Sequence, residues 1–330
     1  WILLCMHIMN VQDYLSNEEI KSLSQRSDWK ASWEIFKSWA LIALSFVVAG
    51  FFPNFFTFLL AIIILGSRQL ACAIIMHDAS HRALFRSPGV NDLVGNWLGG
   101  YLVFNDARRY RPYHIQHHVN AGTHKDPDLS LVQGYPTTVM SFIRKMSRDL
   151  FGLTGIKTQV GVYLMNFEHI KYTAAPATEK IDQSQRSWWS YFRTGFHHYW
   201  KPITANFFLW LVLWGFGAGW LYLLWVVALL TTFNISLRIR AIAEHSMVPD
   251  QLDPHCNTRT TYARWWEKLL FAPHNVNYHA EHHLLMSVPP YHLPRMHRLL
   301  KERGFYDKGV LAQSYWEVIK KAVSKKTAPV

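Results

Sequence analysis

Three short segments of the sequence carry histidines at spacings that suit metal binding. They hold eight of the 18 histidines and read His77-Asp78-Ala79-Ser80-His81, His114-Ile115-Gln116-His117-His118 and His279-Ala280-Glu281-His282-His283. Residues at i, i+3 and i+4 share one face of a helix, so each segment can direct its imidazoles to one point. At this histidine content one HxxHH pattern is expected about 0.05 times by chance, so we interpret the three segments as ligand sets.

The number of these histidines indicates two metal ions. Neutral imidazole suits iron, zinc and copper, and eight nitrogens exceed the three or four protein ligands of one zinc. A pair of iron ions accounts best for the histidines beyond those that one zinc would bind. The Glu-x-x-His pairs of soluble di-iron bundles and the HExxH pattern of zinc proteases are both absent from the sequence.

The segments that must position these histidines are long and apolar. Half of the 330 residues are apolar and only 17% are charged, which favours a membrane protein. Two apolar runs are each long enough for a helical hairpin, with breaks predicted at Pro53-Asn54 and in the Gly215 to Gly219 stretch. The first run contains one charged residue, Arg68, which could extend to the interface. The predicted spans are about 35–52, 54–76, 203–216 and 219–240.

The distribution of Lys and Arg predicts the topology. The two tight turns carry no charge, whereas the segments 82–201 and 238–330 are basic, so both termini are expected in the cytoplasm. The predicted fold is a single all-α membrane domain over 1–330, with an N-terminal cytoplasmic segment at 1–32 and a cytoplasmic cap at 77–201 and 241–330. Trp1 to Met9 is too short for a signal peptide, so the true start is expected to be missing.

Two of the predicted helices end at histidines. If unbroken, a helix from Asn54 reaches His77 after about 35 Å, and one from Trp220 reaches His245 after about 38 Å. Both lengths exceed a hydrocarbon core of about 30 Å. We therefore expect both histidines at similar heights above the cytoplasmic face.

Charge limits the classes of binding partner, and cysteine content limits the kinds of crosslink and metal site. Lys plus Arg exceed Asp plus Glu by 12, which in a membrane protein favours anionic lipid or an acidic protein over nucleic acid. Cys5, Cys72 and Cys256 form no CxxC pair, so neither a disulfide framework nor a thiolate zinc site is predicted.

The three segments together resemble the histidine boxes of the membrane fatty acid desaturase superfamily. Those boxes read HxxxH or HxxxxH, HxxHH or HxxxHH, and HxxHH or QxxHH, and all three match here. The resemblance runs from about Met76 to Gly304 and includes Asp126-Pro127-Asp128 and Asn275-Val276-Asn277-Tyr278. It does not identify the substrate, because desaturases, hydroxylases and carotenoid ketolases share the boxes.

The resemblance implies a ninth ligand and a difference. Family members carry a further histidine at the cytoplasmic end of the fourth span, which His245 matches. Animal acyl-CoA desaturases also have an Asn four residues earlier that holds a metal-bound water, but Ala241 stands there. The expected metal ligands are His77, His81, His114, His117, His118, His245, His279, His282 and His283.

Four polar residues are candidates for supporting these ligands. Asp78, Asp126 and Asp128 could accept hydrogen bonds from imidazoles and fix their tautomers, although turn or surface roles explain them as well. Asn275 lies four residues before His279 and would face the cluster if that stretch is helical, or it could merely cap the helix.

The function expected from the resemblance is O2-dependent desaturation of a fatty acyl chain at a di-iron centre. The runner-up is a hydroxylase or ketolase of an acyl lipid, alkane or carotenoid. Neither a fused cytochrome b5 motif nor a dinucleotide-binding fingerprint occurs in the sequence, so a ferredoxin, rubredoxin or cytochrome b5 is expected to supply electrons. A membrane zinc hydrolase or a metal transporter is the alternative from another class, but a transporter should place ionisable ligands at mid-membrane.

Overall fold

The computed structural model describes residues 10–325, in which helices predominate. The prediction made for Trp1 to Met9 lies outside the described residues. The α-helices, in chain order, are α1 Asn17–Leu23, α2 Asp28–Phe51, α3 Phe55–Ser80, α4 Pro88–Trp97, α5 Ala107–Asn120, α6 Leu129–Val132, α7 Val139–Leu150, α8 Leu153–Asn166, α9 Trp188–Gly215, α10 Tyr222–Leu230, α11 Thr232–His245, α12 Trp265–Leu270, α13 His279–Leu284, α14 Leu293–Glu302 and α15 Tyr315–Ala322. Two three-residue strands, β1 Arg259–Thr261 and β2 Val310–Ala312, pair in parallel, so the all-α expectation needs this small correction.

Three helical segments in the described part of the chain are long and apolar enough to cross a membrane. They are Asp28–Phe51, Phe55–Ser80 and Gly219–His245. The predicted third span, 203–216, forms the C-terminal half of α9, which does not meet the same measure of length and composition. The first segment also begins earlier than predicted, because Ser27 caps α2 by accepting a hydrogen bond from the Lys30 amide.

The first hairpin turns where the sequence predicts it. The Asn54 side chain accepts hydrogen bonds from the amides of Phe56 and Thr57, at 3.0 and 3.2 Å, and the Thr57 hydroxyl accepts one from the Asn54 amide. This reciprocal cap satisfies amides that the first turn of a helix otherwise leaves free. The predicted break at Pro53-Asn54 is confirmed.

The condition of an unbroken fourth helix is not met. Thr231 has φ −118° and ψ −89°, outside the helical region, and separates α10 from α11. At the break, the Asn234 side-chain amide donates hydrogen bonds to the carbonyls of Leu229 and Leu230, at 3.0 and 3.2 Å. At this level α11 lies against α3, since a Cβ on Gly66 would come within 2.1 Å of the Thr232 hydroxyl. The bend therefore depends on buried polar side chains.

Arg68 contacts the segment predicted to form the cytoplasmic cap. It is buried, and its guanidinium donates to the carbonyl of Leu269 in α12. A buried charged group needs such a partner. Arg68 therefore joins α3 to the C-terminal part of the chain, nine residues before His77.

Arg259 joins β1 to the end of α11. Its guanidinium is buried and donates to the carbonyls of Ala243, Ser246 and Met247 at 3.2, 2.9 and 2.9 Å. The last carbonyls of a helix lack partners within the helix. Arg259 donates to carbonyls at this end of α11 and so fixes the turn that carries His245.

We predict that Arg259→Met destabilises the protein. The apolar stem is kept while three buried carbonyls lose their donor, at a cost of about 3 kcal/mol. Thermal unfolding in one detergent measures the effect, with Arg298→Met, at an exposed position of α14, as the matched control. Equal unfolding temperatures for both variants would contradict this role.

Candidate metal centre

Four helices bring all nine predicted histidines into one cluster. The C-terminal end of α3 carries His77 and leads to His81, α5 carries the second box, α11 ends at His245 and α13 carries the third box. The candidate ligand atoms form two groups. In each group, every ligand atom lies within 4.8 Å of the others. The group of five contains His77, His81, His114, His118 and His282, and the group of four contains His117, His245, His279 and His283.

The division crosses the sequence boxes. The second and third boxes each contribute to both groups, and the ring centroids of His118 and His283, which belong to different groups, are 4.2 Å apart. Two ions held by these groups would therefore be close neighbours. Spacing within a single box could not reveal this division.

The group of five has ring nitrogens free to bind a metal. The Nε2 atoms of His77, His81 and His282 are buried and have no hydrogen-bond partner in the described structure. The Nδ1 atom of His77 lies 2.8 Å from an oxygen of Asp78. Because a carboxylate accepts, Nδ1 carries the proton and Nε2 has the lone pair that a metal needs.

The group of four places lone pairs against each other. His117 Nδ1 donates to Asp126 at 2.8 Å, and His245 Nδ1 donates to the Asn257 carbonyl at 3.3 Å. Their Nε2 atoms then carry lone pairs, yet these atoms are 3.2 Å apart, and His279 Nε2 is 2.8 Å from His245 Nε2. The contact between His117 and His245 is stabilised by a cation between the two rings, and this donor set fits a metal ion of the kind that imidazole binds.

Burial keeps most of these imidazoles neutral. It lowers the pKa of His81 to about 4, with the nearby charge of Arg111 as the second cause. Burial, followed by the charges of neighbouring histidines, holds the pKa values of His282 and His283 well below the usual range. Neutral imidazoles can bind metal without first losing a proton.

His117 differs from its neighbours. Burial lowers its pKa, but the hydrogen bond to Asp126 and the charges of Asp128 and Asp126 outweigh that effect, and the pKa lies above its ordinary value. A proton can thus serve as the cation between His117 and His245 when no metal is bound. Metal binding would displace that proton.

The predicted supporting residues divide into those that reach the cluster and those that do not. Asp78 and Asp126 contact imidazoles of the cluster, whereas Asp128 lies 3.8 Å from His117 Nδ1 and accepts a hydrogen bond from Tyr113 at 2.5 Å. For Asn275 the condition of a continuous helix is not met. Its φ is +59°, a non-helical turn separates it from α13, and its amide donates to the Pro290 carbonyl.

Some supporting residues give little sequence signal. Tyr110 lies one turn before His114, and its hydroxyl is 3.1 Å from His114 Nδ1. Glu244 is buried, pairs with Arg240 at 2.5 Å and has an oxygen 3.6 Å from His279 Nδ1. The i, i+4 spacing of Tyr110 and His114 was available as a signal. The contact between Glu244 and His279 depends on tertiary packing.

A hydrogen-bonded network supports the short helix of the third box. The carboxylate of Glu281, on the face of α13 away from the histidines, is fully buried. It accepts hydrogen bonds from Thr260 of β1 and His297 of α14, each at 2.5 Å, and from the hydroxyl of Tyr306. Six residues form too short a helix to be stable alone, so these contacts set the direction of α13.

Comparison with known proteins identifies the family. The fatty acid desaturase family model matches residues 53–316, and the chain belongs to this family. Relatives include dihydrorhizobitoxine desaturase of Bradyrhizobium elkanii, 26% identical over 280 residues that cover 83% of this chain and 76% of that protein. Another is sn-1 oleoyl-lipid 12-desaturase of Synechocystis sp., 27% identical over 290 residues that cover 81% and 76%. The resemblance found in the sequence is confirmed, and the chain is a desaturase-type oxidoreductase.

We predict that Asp126→Asn weakens metal binding about 10- to 100-fold, as loss of a carboxylate partner of a ligand imidazole usually does. The amide no longer fixes the proton on His117 Nδ1, so His117 presents its lone pair to the group of four less often. Metal titration of the purified protein measures the change. Asp128→Asn is the control, since Asp128 lies farther from the same nitrogen, and equal losses in both variants would contradict the specific role of Asp126.

Proposed function

We propose that the chain uses O2 to desaturate a fatty acyl chain, carried on a lipid, CoA or another carrier, at a centre of two iron ions held by the nine histidines. The observation that carries the proposal is the pair of adjoining histidine groups in a chain of the fatty acid desaturase family. A zinc hydrolase needs only three or four ligands, which would leave half of the cluster without a role.

The reaction needs redox chemistry because an aliphatic C–H bond has no acidic proton for a base to remove. In balance, –CH2–CH2– plus O2, two electrons and two protons gives –CH=CH– and two waters. Iron bound in the two groups would supply the redox chemistry by which O2 is reduced. The electrons come from an external carrier such as a ferredoxin, rubredoxin or cytochrome b5 with its reductase.

The protein's own residues have separate tasks in this proposal. Asp78 and Asp126 hold the tautomers of His77 and His117, which keeps the Nε2 lone pairs available. Burial of His77, His114 and His279 excludes water from the centre.

The substrate is proposed to approach from the membrane. An apolar groove of about 440 Å³ lies between α3, α10 and α11 at the level of the Thr231 break, where Leu59, Ile62, Val227 and Ile235 line it. Its lining and position suit a hydrocarbon chain. The two named relatives desaturate different compounds, so the family alone does not identify the substrate.

For the topology we propose four spans, with the C-terminal half of α9 as the third, and with both termini and the metal centre on the cytoplasmic side. Exposed apolar side chains on that part of α9, among them Phe207 and Trp214, support contact with lipid. The basic residues outside the spans support the orientation.

We predict that the chain, expressed with a reductase system and O2, forms a product two hydrogens lighter than its substrate. His117→Ala should abolish it, because a ligand and the partner of Asp126 are lost together. Mass spectrometry of lipids, with Lys308→Glu as an exposed control, gives the result.

A product that carries an added oxygen would instead favour the hydroxylase or ketolase. Equal activity without O2, or full activity with zinc as the only metal, would contradict the proposed chemistry.

A further inference from the structure

The outer face of α5 combines exposure with closeness to the metal centre. This α5 outer face consists of Arg108, Pro112, Ile115 and Val119, which recur at helical spacing on one side. Val119 is 71% exposed and Ile115 is 38% exposed. The opposite side of the same helix carries the buried His114 and His117.

A basic rim adjoins this face. Arg111 of α5 donates to the Ser80 carbonyl at 2.6 Å, which places α5 against the end of α3, where the exposed Arg82 follows His81. Arg26 in turn donates to the Arg82 carbonyl at 2.6 Å, and Arg86 to the Arg26 carbonyl at 3.3 Å. The rim is therefore continuous with the outer face.

The acidic residues of this surface do not neutralise it. Asp92 accepts hydrogen bonds from Arg108 and Arg111 at 3.1 and 2.7 Å. Asp28 accepts one from the Arg86 amide at 2.8 Å. Asp106, at the N-terminal end of α5, accepts one from the Arg108 amide at 2.7 Å. The five arginines Arg26, Arg82, Arg86, Arg108 and Arg111 exceed these three carboxylates, so the surface has a net charge of +2.

We propose that the α5 outer face and its arginine rim form the docking surface for the acidic one-electron carrier protein that reduces the metal centre. This inference rests on the proposed function, which requires two electrons from outside. A small apolar centre within a charged rim is typical of protein interfaces, and redox complexes are small. Complementary charge would speed the encounter.

The position of the surface suits electron transfer. Ile115 follows His114 and Val119 follows His118, so a carrier on this face is separated from these two histidines of the second box by about one helix diameter, roughly 10–12 Å. Lipid is the less favoured occupant, because the apolar pair is flanked by the exposed Gln116. By contrast, α8 exposes a continuous row of Leu153, Ile156, Val160 and Tyr163.

The test uses the full iron-loaded chain in lipid nanodiscs with a reduced acidic [2Fe–2S] ferredoxin as the probe. Arg82→Glu and Val119→Asp are the test variants. No hydrogen bond or ion pair of the Arg82 guanidinium occurs within residues 10–325, so its reversal should leave the fold intact. Lys308→Glu makes the same charge change at another exposed position, and Val119→Ala keeps the surface apolar.

At low salt, the KM for ferredoxin should be at least tenfold higher in both test variants than in the wild type. Direct binding of ferredoxin should be weaker by at least the same factor. The iron content and the rate of reduction by dithionite should stay at the wild-type level, and both control variants should change the KM less than twofold. An unchanged ferredoxin KM in the two test variants would overturn the docking surface, as would loss of iron. Quenching of a fluorophore on Val119→Cys by nitroxide lipids would overturn it in favour of lipid.

Failure of the proposed function is recognised separately. In that case the wild-type chain forms no O2-dependent product with ferredoxin or with dithionite, and the docking role falls with it. If the wild type forms the product and the test variants have the same ferredoxin KM as the wild type, the proposed function stands and the docking surface alone is wrong.

Discussion

The contact between imidazole lone pairs inside the helical bundle is the constraint on which the rest of the structure depends. His117 and His245 each use Nδ1 to donate, to Asp126 and to a backbone carbonyl, and their Nε2 atoms face each other at 3.2 Å. Buried polar groups without partners are costly. A cation between the rings turns that cost into binding energy, so folding and metal binding are expected to be linked.

The surrounding architecture serves to hold these rings at such distances. The ends of α3 and α11 are fixed by arginines from other elements, Arg111 on the carbonyl of Ser80 and Arg259 on those around His245. The short α13 is held instead by the buried carboxylate of Glu281. The first box and His245 are thus each positioned by an arginine of another element, and the third box by contacts of its own Glu281 with β1 and α14.

The sequence predicted what is local and repeated. The i, i+3 and i+4 spacing identified eight histidines that the structure brings together, the family resemblance added His245, and Pro53-Asn54 predicted the first turn. Packing between residues far apart in the sequence could not be predicted. The break at Thr231 depends on Asn234 and on close approach at Gly66. The helix that would turn Asn275 toward the cluster does not form, because a left-handed backbone precedes α13, and Glu244 reaches His279 only through tertiary contact.

We propose that the two groups of histidines hold two iron ions in each chain. Anaerobic titration of the metal-free protein with Fe²⁺, followed by elemental analysis, tests it most directly. We expect two tightly bound irons per chain, and one when His279, in the group of four, is replaced by Ala. A single iron per wild-type chain, or full activity with zinc alone, would contradict the account.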